Sequence, residues 1–355
     1  MIPIQPFLLV FLIASALAVC LSKNLIASVV IYTSFSTVLS IMWILLAAPD
    51  ISITEAAVCT GISGVLFFVA LKRIGITDAE YGKKKLQPKI ETKDGMPFDA
   101  TRKKFRFFLN TLYVTVCGGF ITVLIYTASQ LPPLGHPANP PNNEVPRRFI
   151  EQGIQDTGAL NAVSSMLWSY RSFDTFGEAC VLFAAVCVIL ILLRGGGVSL
   201  PAEDSFRREM EEPRQDMILK NISFLLVAII MIFGFYALVN GHITPGGGFS
   251  GGAILGATLV LFASAYGTKR SYKFMNHKVF CRTVSITLSI YALIKGYVFF
   301  IGANGLPSPI PLGTPGNLLS GGFIPVYNIA VGIIVACTMY AIYILFSGGD
   351  LEADA

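Results

Sequence analysis

Apolar residues run along this chain in nine blocks, 5–22, 25–47, 54–71, 107–129, 175–193, 218–240, 250–267, 283–302 and 324–346, with polar residues gathered in the connections between them. About 20 apolar residues is the length of a helix that crosses the hydrocarbon core of a bilayer. The pattern therefore predicts an all-α integral membrane protein with about nine transmembrane helices. The first block has no charged residue ahead of it and Lys23 follows it, so the basic leading segment of a signal peptide is missing and the block is expected to be retained.

The connections carry the charge, and they carry it unevenly. Of the 26 Lys and Arg, 22 fall in 72–106, 194–220, 268–282 and at Lys23. The alternate connections, 48–53, 130–174, 241–249 and 303–323, hold only Arg147, Arg148 and Arg171. By the positive-inside rule the N-terminus is expected outside and the C-terminus inside, which agrees with the odd number of spans. The two long polar connections divide the chain into a three-helix module (1–76), a cytoplasmic linker (77–104), and a two-helix module with a long outer loop (105–195). A mixed-charge joint (196–217) and a four-helix module (218–355) follow. Within the outer loop, Ile154–Tyr170 alternates in a way that allows an amphipathic helix on the membrane surface.

Composition narrows the function. The chain of 355 residues is 54% hydrophobic and 13% charged, with a mean hydropathy of +0.67, whereas soluble domains carry about 25% charged residues. A net charge of +5 confined to short loops is not a nucleic-acid surface. The seven cysteines show no C-x-x-C spacing, and His136, His242 and His277 are far apart, so no metal site or cofactor is expected.

Ionizable residues at membrane depth are costly unless they face protein or water, which makes them the main functional signal. Lys295 lies midway along the eighth block, either as a buried lysine paired with a carboxylate or carbonyl or as a titratable site in an ion path. Glu55 and Glu178 each close an S/T-x-x-E pattern, Ser52–Glu55 and Thr175–Glu178, at the mouth of a block. Such a pattern suits a capping box at a helix start, and a carboxylate at that mouth equally suits collection of cations or protons. Arg171, Asp174 and Glu178 would stack on one helix face as a charge ladder. Between the sixth and seventh blocks, Gly241–Gly252 holds six glycines and Pro245, with His242 beside them. The run Pro245, Gly246, Gly247, Gly248, Phe249, Gly251 and Gly252 is expected to break the helix, as at ion sites in transporters, although glycines also permit close helix packing. Pro311–Gly316 and Gly321–Pro325 form a partial echo ahead of the ninth block, which suggests a weak parallel repeat.

These residues carry a resemblance. Gly241-His242, Pro245–Phe249, Gly251-Gly252, Pro311–Gly316 and Asn328–Gly332 closely resemble the B-type component of Mrp-type multisubunit Na+/H+ antiporters and its equivalent in membrane-bound hydrogenases. Thr54–Val58, Gly61 and Leu66–Leu71 resemble the small D-type component. Asn161–Val163, Tyr170-Arg171, Phe173–Glu178 and Val181–Phe183 resemble the E-type component. The resemblance implies a fusion of D-, E- and B-type subunits, with the family's acidic positions at Glu55 and Glu178, its glycine-rich break at His242–Gly252 and its membrane lysine at Lys295; with Asp174 of the charge ladder, the ion-path candidates are Glu55, Asp174, Glu178, Lys295 and His242. It further implies other membrane subunits as partners, Na+ and H+ as the ions moved, and no redox catalysis by this chain itself. A scaffold without an ion path and a stand-alone carrier are the alternatives.

Overall fold

The computed structural model describes residues 4–73, 99–132, 136, 139, 142–194, 217–271 and 275–347. Most of the linker 77–104 and of the joint 196–217 lies outside the described residues. Among those described, nine helices are long and apolar enough to cross a membrane. They are α1 (Ile4–Leu21), α2 (Leu25–Leu45), α3 (Pro49–Lys72) and α4 (Asp99–Ser129, apolar from Thr111), then α8 (Ser172–Arg194), α9 (Met217–Val239), α10 (Gly248–Tyr266), α12 (His277–Ala303) and α13 (Ile324–Phe346). The short helices α5 (Glu144–Glu151), α6 (Gly153–Thr157), α7 (Ala162–Ser165) and α11 (Thr268–Ser271) lie in the connections.

The chain forms two compact units, Met1–Lys83 with Phe149–Ala355, and Lys84–Arg148. The smaller is built on α4, whose Val114, Phe120 and Ile125 are exposed and so suited to lipid or to a partner helix. In the larger unit α13 is the central helix, with α10 against it; 72% and 61% of their apolar windows are buried. Small residues make this packing possible, because without a hydrophobic driving force between helices in lipid, close backbone approach supplies the attraction. A Cβ on Gly252 would lie 2.7 Å from the Gly332 carbonyl oxygen, and one on Gly251 2.8 Å from the Leu238 backbone. Gly252→Val should therefore lower the melting temperature of the detergent-solubilised protein clearly, at a cost of about 1–3 kcal/mol. Gly302→Ala, with nothing within 4 Å of its added Cβ, should leave the melting temperature unchanged or raise it slightly.

Two local departures from the expected pattern shape the interior. Within α3, residues Ala56–Ser63 are π-helical, as are Met166–Tyr170 just before α8. And the segment 154–170 does not form one surface helix. Gly158, in the left-handed region at φ 73°, ends α6, where a Cβ would meet the Leu312 carbonyl oxygen at 2.7 Å. The chain then folds inward, leaving Ala159 fully buried and Trp168 4% exposed.

Candidate functional site

The connections 149–171, 240–247 and 304–323 meet within the larger unit, where Asn161 and Asn317 approach His242 and Gly158 approaches Leu312, and the glycine-rich segment is held there. Its break is narrower than the sequence suggests. Gly246 and Gly247 adopt φ of 146° and 131°, but Gly248 already starts α10, so Phe249, Gly251 and Gly252 are helical. The physical reason is a cap from another helix: Asn328 Oδ1, on α13, accepts the Gly248 N–H at 2.9 Å. Gly247 N–H donates back to the Ala237 carbonyl at 3.0 Å. His242 is fully buried within the break, with its carbonyl accepting the Asn161 N–H at 3.1 Å and its Nε2 3.4 Å from the Asn317 carbonyl. Among the described residues its Nδ1 has no hydrogen-bond partner, and neither have Asn328 Nδ2 and Ser320 Oγ, all buried. Unpaired polar atoms at such depth mark a place where water or an ion would be accommodated at little cost.

Lys295 is 4% exposed and reaches no carboxylate among the described residues. Its Nζ donates to the Trp168 carbonyl at 2.9 Å and stands 3.9 Å over the centre of the Tyr327 ring, a cation–π position. The carbonyl comes from the π segment rather than from the glycine-rich break. Where that segment hands over to α8 the helical ladder is interrupted, and the two carbonyls there are taken by side chains, Leu167 by Thr175 Oγ1 at 2.9 Å and Trp168 by Lys295. The Tyr327 ring under the ammonium belongs to an aromatic cluster: Trp168 stacks on Tyr327 at 6.1 Å, Tyr291 lies 5.1 Å from Tyr327, and Phe176 5.3 Å from Tyr291. The Tyr291 and Tyr327 hydroxyls are buried and have no hydrogen-bond partner among the described residues. The site thus joins α12, α13 and the π segment, three parts of the chain that only the fold brings together.

Glu55 and Glu178 are not helix caps. Pro49 opens α3 one turn ahead of Ser52, with Ala48 at the N-cap, so Ser52 lies inside the helix and its hydroxyl donates to the Ser40 carbonyl at 2.8 Å. Glu55 instead receives the Ser36 hydroxyl at 2.6 Å, and Thr60 donates to that same Ser36 oxygen at 3.2 Å. Cys59 lies within electrostatic range of both Glu55 and Tyr32. The carboxylate sits directly ahead of the π segment of α3, in a polar cluster with Ser36, Thr60, Cys59 and Tyr32. Likewise α8 begins at Ser172, not Thr175. Glu178 is exposed in the isolated chain and within electrostatic range of Asp174, Arg171 and Tyr291. Of the expected ladder, Arg171 and Asp174 pair at 2.7 Å on the surface. Arg171 precedes α8, so the three residues do not share one helix face.

Asp50 is a further residue of this site that its sequence context does not single out. It sits in the first turn of α3, and its Oδ1 accepts from Asn161 Nδ2 at 3.0 Å and from the Gly246 N–H at 2.9 Å. The only signal was its place beside Pro49 at a block edge, which an ordinary N-terminal acid shares.

Comparison with known proteins matches three family models in order along the chain: MbhD, the D-type subunit of MBH, over residues 10–75; MbhE, the E-type subunit of MBH, over 112–213; and a domain related to the MnhB subunit of Na+/H+ antiporter over 218–341. An uncharacterised protein of Methanocaldococcus jannaschii is 29% identical over 61% of this chain and 85% of its own length. A probable K(+)/H(+) antiporter subunit of combined A/B type from Rhizobium meliloti is 24% identical over 69% of this chain, which spans 24% of that protein. The B-type Na(+)/H(+) antiporter subunit of Bacillus subtilis is 34% identical over 25% of this chain and 63% of its own length. Among solved structures, the Mrp complex from Dietzia sp. shares the fold, with a TM-score of 0.65 at 19% identity over 98% of this chain and 35% of that one. The membrane-bound sulfane sulfur reductase, an archaeal respiratory membrane complex, aligns at a TM-score of 0.51 and 27% identity, over 67% of this chain and 96% of that one.

Proposed function

We propose that this chain, a multi-pass membrane protein that joins MbhD-, MbhE- and MnhB-type domains in one polypeptide, is a subunit of an Mrp-like module moving Na+ and H+ across the cell membrane. It contributes part of the ion path. It works beside other membrane subunits, either in an antiporter or coupled to a membrane-bound hydrogenase or related redox complex. The observation that carries this reading is Lys295, an amine buried in the membrane-spanning bundle and held by one carbonyl and an aromatic ring rather than by a counter-charge. Burial of an amine on such terms costs stability, which points to a role other than holding the fold together. The succession of three antiporter-type domains supports the module, and the broad exposed apolar faces of α1, α4 and α9 support partner helices or lipid around the chain.

Purification from membranes in mild detergent, followed by reconstitution, tests the proposal. The chain should leave the membrane with partner subunits, and the assembled complex should acidify or alkalinise vesicles in response to sodium. A chain that purifies alone and transports alone would overturn the multisubunit reading.

The orientation belongs to the same proposal. With the basic connections on the cytoplasmic side, a single cysteine introduced at Asn142 should react with an impermeant maleimide in intact cells, while one at Lys84 should not. Reaction at Lys84 first would reverse the assignment.

A further inference from the structure

We infer that Asp50 is a positioning residue that, together with Asn161, locks the glycine-rich break to the other two modules of the chain. The inference rests on the proposed ion path only in asking what the break is held in place for. Its geometry stands by itself.

Residues 240–247, between α9 and α10, leave helical geometry and must place their backbone groups without a helical ladder. The three modules answer them together. Asp50 Oδ1 takes the Gly246 N–H at 2.9 Å, at a residue whose φ of 146° only glycine adopts readily. Asn161 Nδ2 lies 3.2 Å from the Gly241 carbonyl and 3.1 Å from that of Thr244, and 3.0 Å from Asp50 Oδ1. Its backbone N–H donates to the His242 carbonyl at 3.1 Å, and the buried Ser164 hydroxyl donates to Gly241. The other end of the Asn161 side chain, Oδ1, accepts the Val163 and Ser164 N–H groups at 2.9 and 3.3 Å, and so caps α7. Asn161 is thus fixed by its own helix start and offers its amide to both the break and Asp50. Residues 111 and 196 positions away in sequence meet Asp50 on one carboxylate oxygen.

What the junction requires of residue 50 is an acceptor oxygen at that point, and what it requires of residue 161 is an amide. Asparagine at 50 keeps the acceptor and loses the charge. Alanine loses both. Aspartate at 161 keeps the α7 cap and loses every side-chain donor to the break. A residue that acted through its charge in ion transport would rank these variants differently.

The test uses the assembled complex in membrane vesicles of either orientation, with Thr244→Cys as a reporter in the break, and reads labelling of the peptide carrying residue 244 by an impermeant maleimide. Asp50→Ala and Asn161→Asp should each speed labelling roughly tenfold, the effect of removing one or two hydrogen bonds from a local opening. Asp50→Asn should label like the parent and keep sodium-dependent transport, while Asp50→Ala loses most of it. Unchanged labelling in Asp50→Ala and Asn161→Asp would overturn the lock. Loss of transport in Asp50→Asn with parental labelling would overturn the assignment of Asp50 as a positioning residue, by making its charge the functional element. A parent complex without cation transport would remove the proposed function, and the labelling would still decide the lock.

Discussion

Replacing Lys295 by alanine should reduce coupled sodium–proton exchange in the assembled complex by about a hundredfold, the scale of a positioned proton-transfer group, while the subunit remains in the complex. The geometry explains why assembly survives. The Lys295 amine makes one hydrogen bond, to the Trp168 carbonyl at 2.9 Å, and one ring contact, to Tyr327 at 3.9 Å. Its loss leaves a single buried carbonyl unpaired and a small cavity, at a cost of about 1–3 kcal/mol. Arginine restores a positive charge and donors for Trp168, but a guanidinium keeps its proton under all conditions at which a membrane complex works. Lys295→Arg should therefore assemble and remain uncoupled. A lysine kept for structure alone predicts the reverse order, with alanine lost from the complex and arginine restoring both assembly and activity. Quantitation of the subunit in purified complexes, beside vesicle pH changes started by sodium, separates the two.

Neutralising Glu55 should have an effect of similar size. A glutamine side chain at position 55 would still offer an oxygen to the Ser36 hydroxyl, which now stands 2.6 Å from the carboxylate, so Glu55→Gln should cost about 1 kcal/mol or less of stability. The charge at the hub of Ser36, Thr60, Cys59 and Tyr32 disappears, and cation-coupled transport should go with it. Glu178→Gln touches no described hydrogen bond and should leave stability unchanged; its transport should fall through the loss of a charge within range of Asp174 and Tyr291. Complexes of normal abundance with normal sodium-driven pH changes in both variants would leave these acids without a part in the path.

The spans were legible because a bilayer imposes one length and one polarity on each of them, and the apolar blocks coincide with α1–α3, α8–α10, α12 and α13 to within a few residues. Lys295 was legible for the same reason, since a lone cation in an apolar block stands out. Its partner was not. The Trp168 carbonyl comes free at a π segment, and the residue types of Met166–Tyr170 do not distinguish a π turn from an α turn. The same blindness hides Ala56–Ser63 beside Glu55. Capping boxes misled because Pro49 and Ser172 start their helices a turn earlier than the S/T-x-x-E patterns imply, and proline at the first helical position is the stronger signal. Gly158 turns what reads as a surface helix into a chain that folds inward, for a steric reason that lies far along the chain at Leu312. Asp50 and Asn161 were hidden for a related cause: each looks like a local helix-start residue, and the bonds that distinguish them reach residues far along the chain.

The measurement that bears most directly on the role of Lys295 in the ion path is sodium-dependent pH change in proteoliposomes of the intact complex carrying Lys295→Arg, with subunit content determined on the same preparation. A proton-exchanging Lys295 requires full subunit content and loss of coupled exchange in this variant. Full subunit content with parental exchange would contradict it, because a side chain that cannot release its proton would then be serving equally well at the centre of the proposed path.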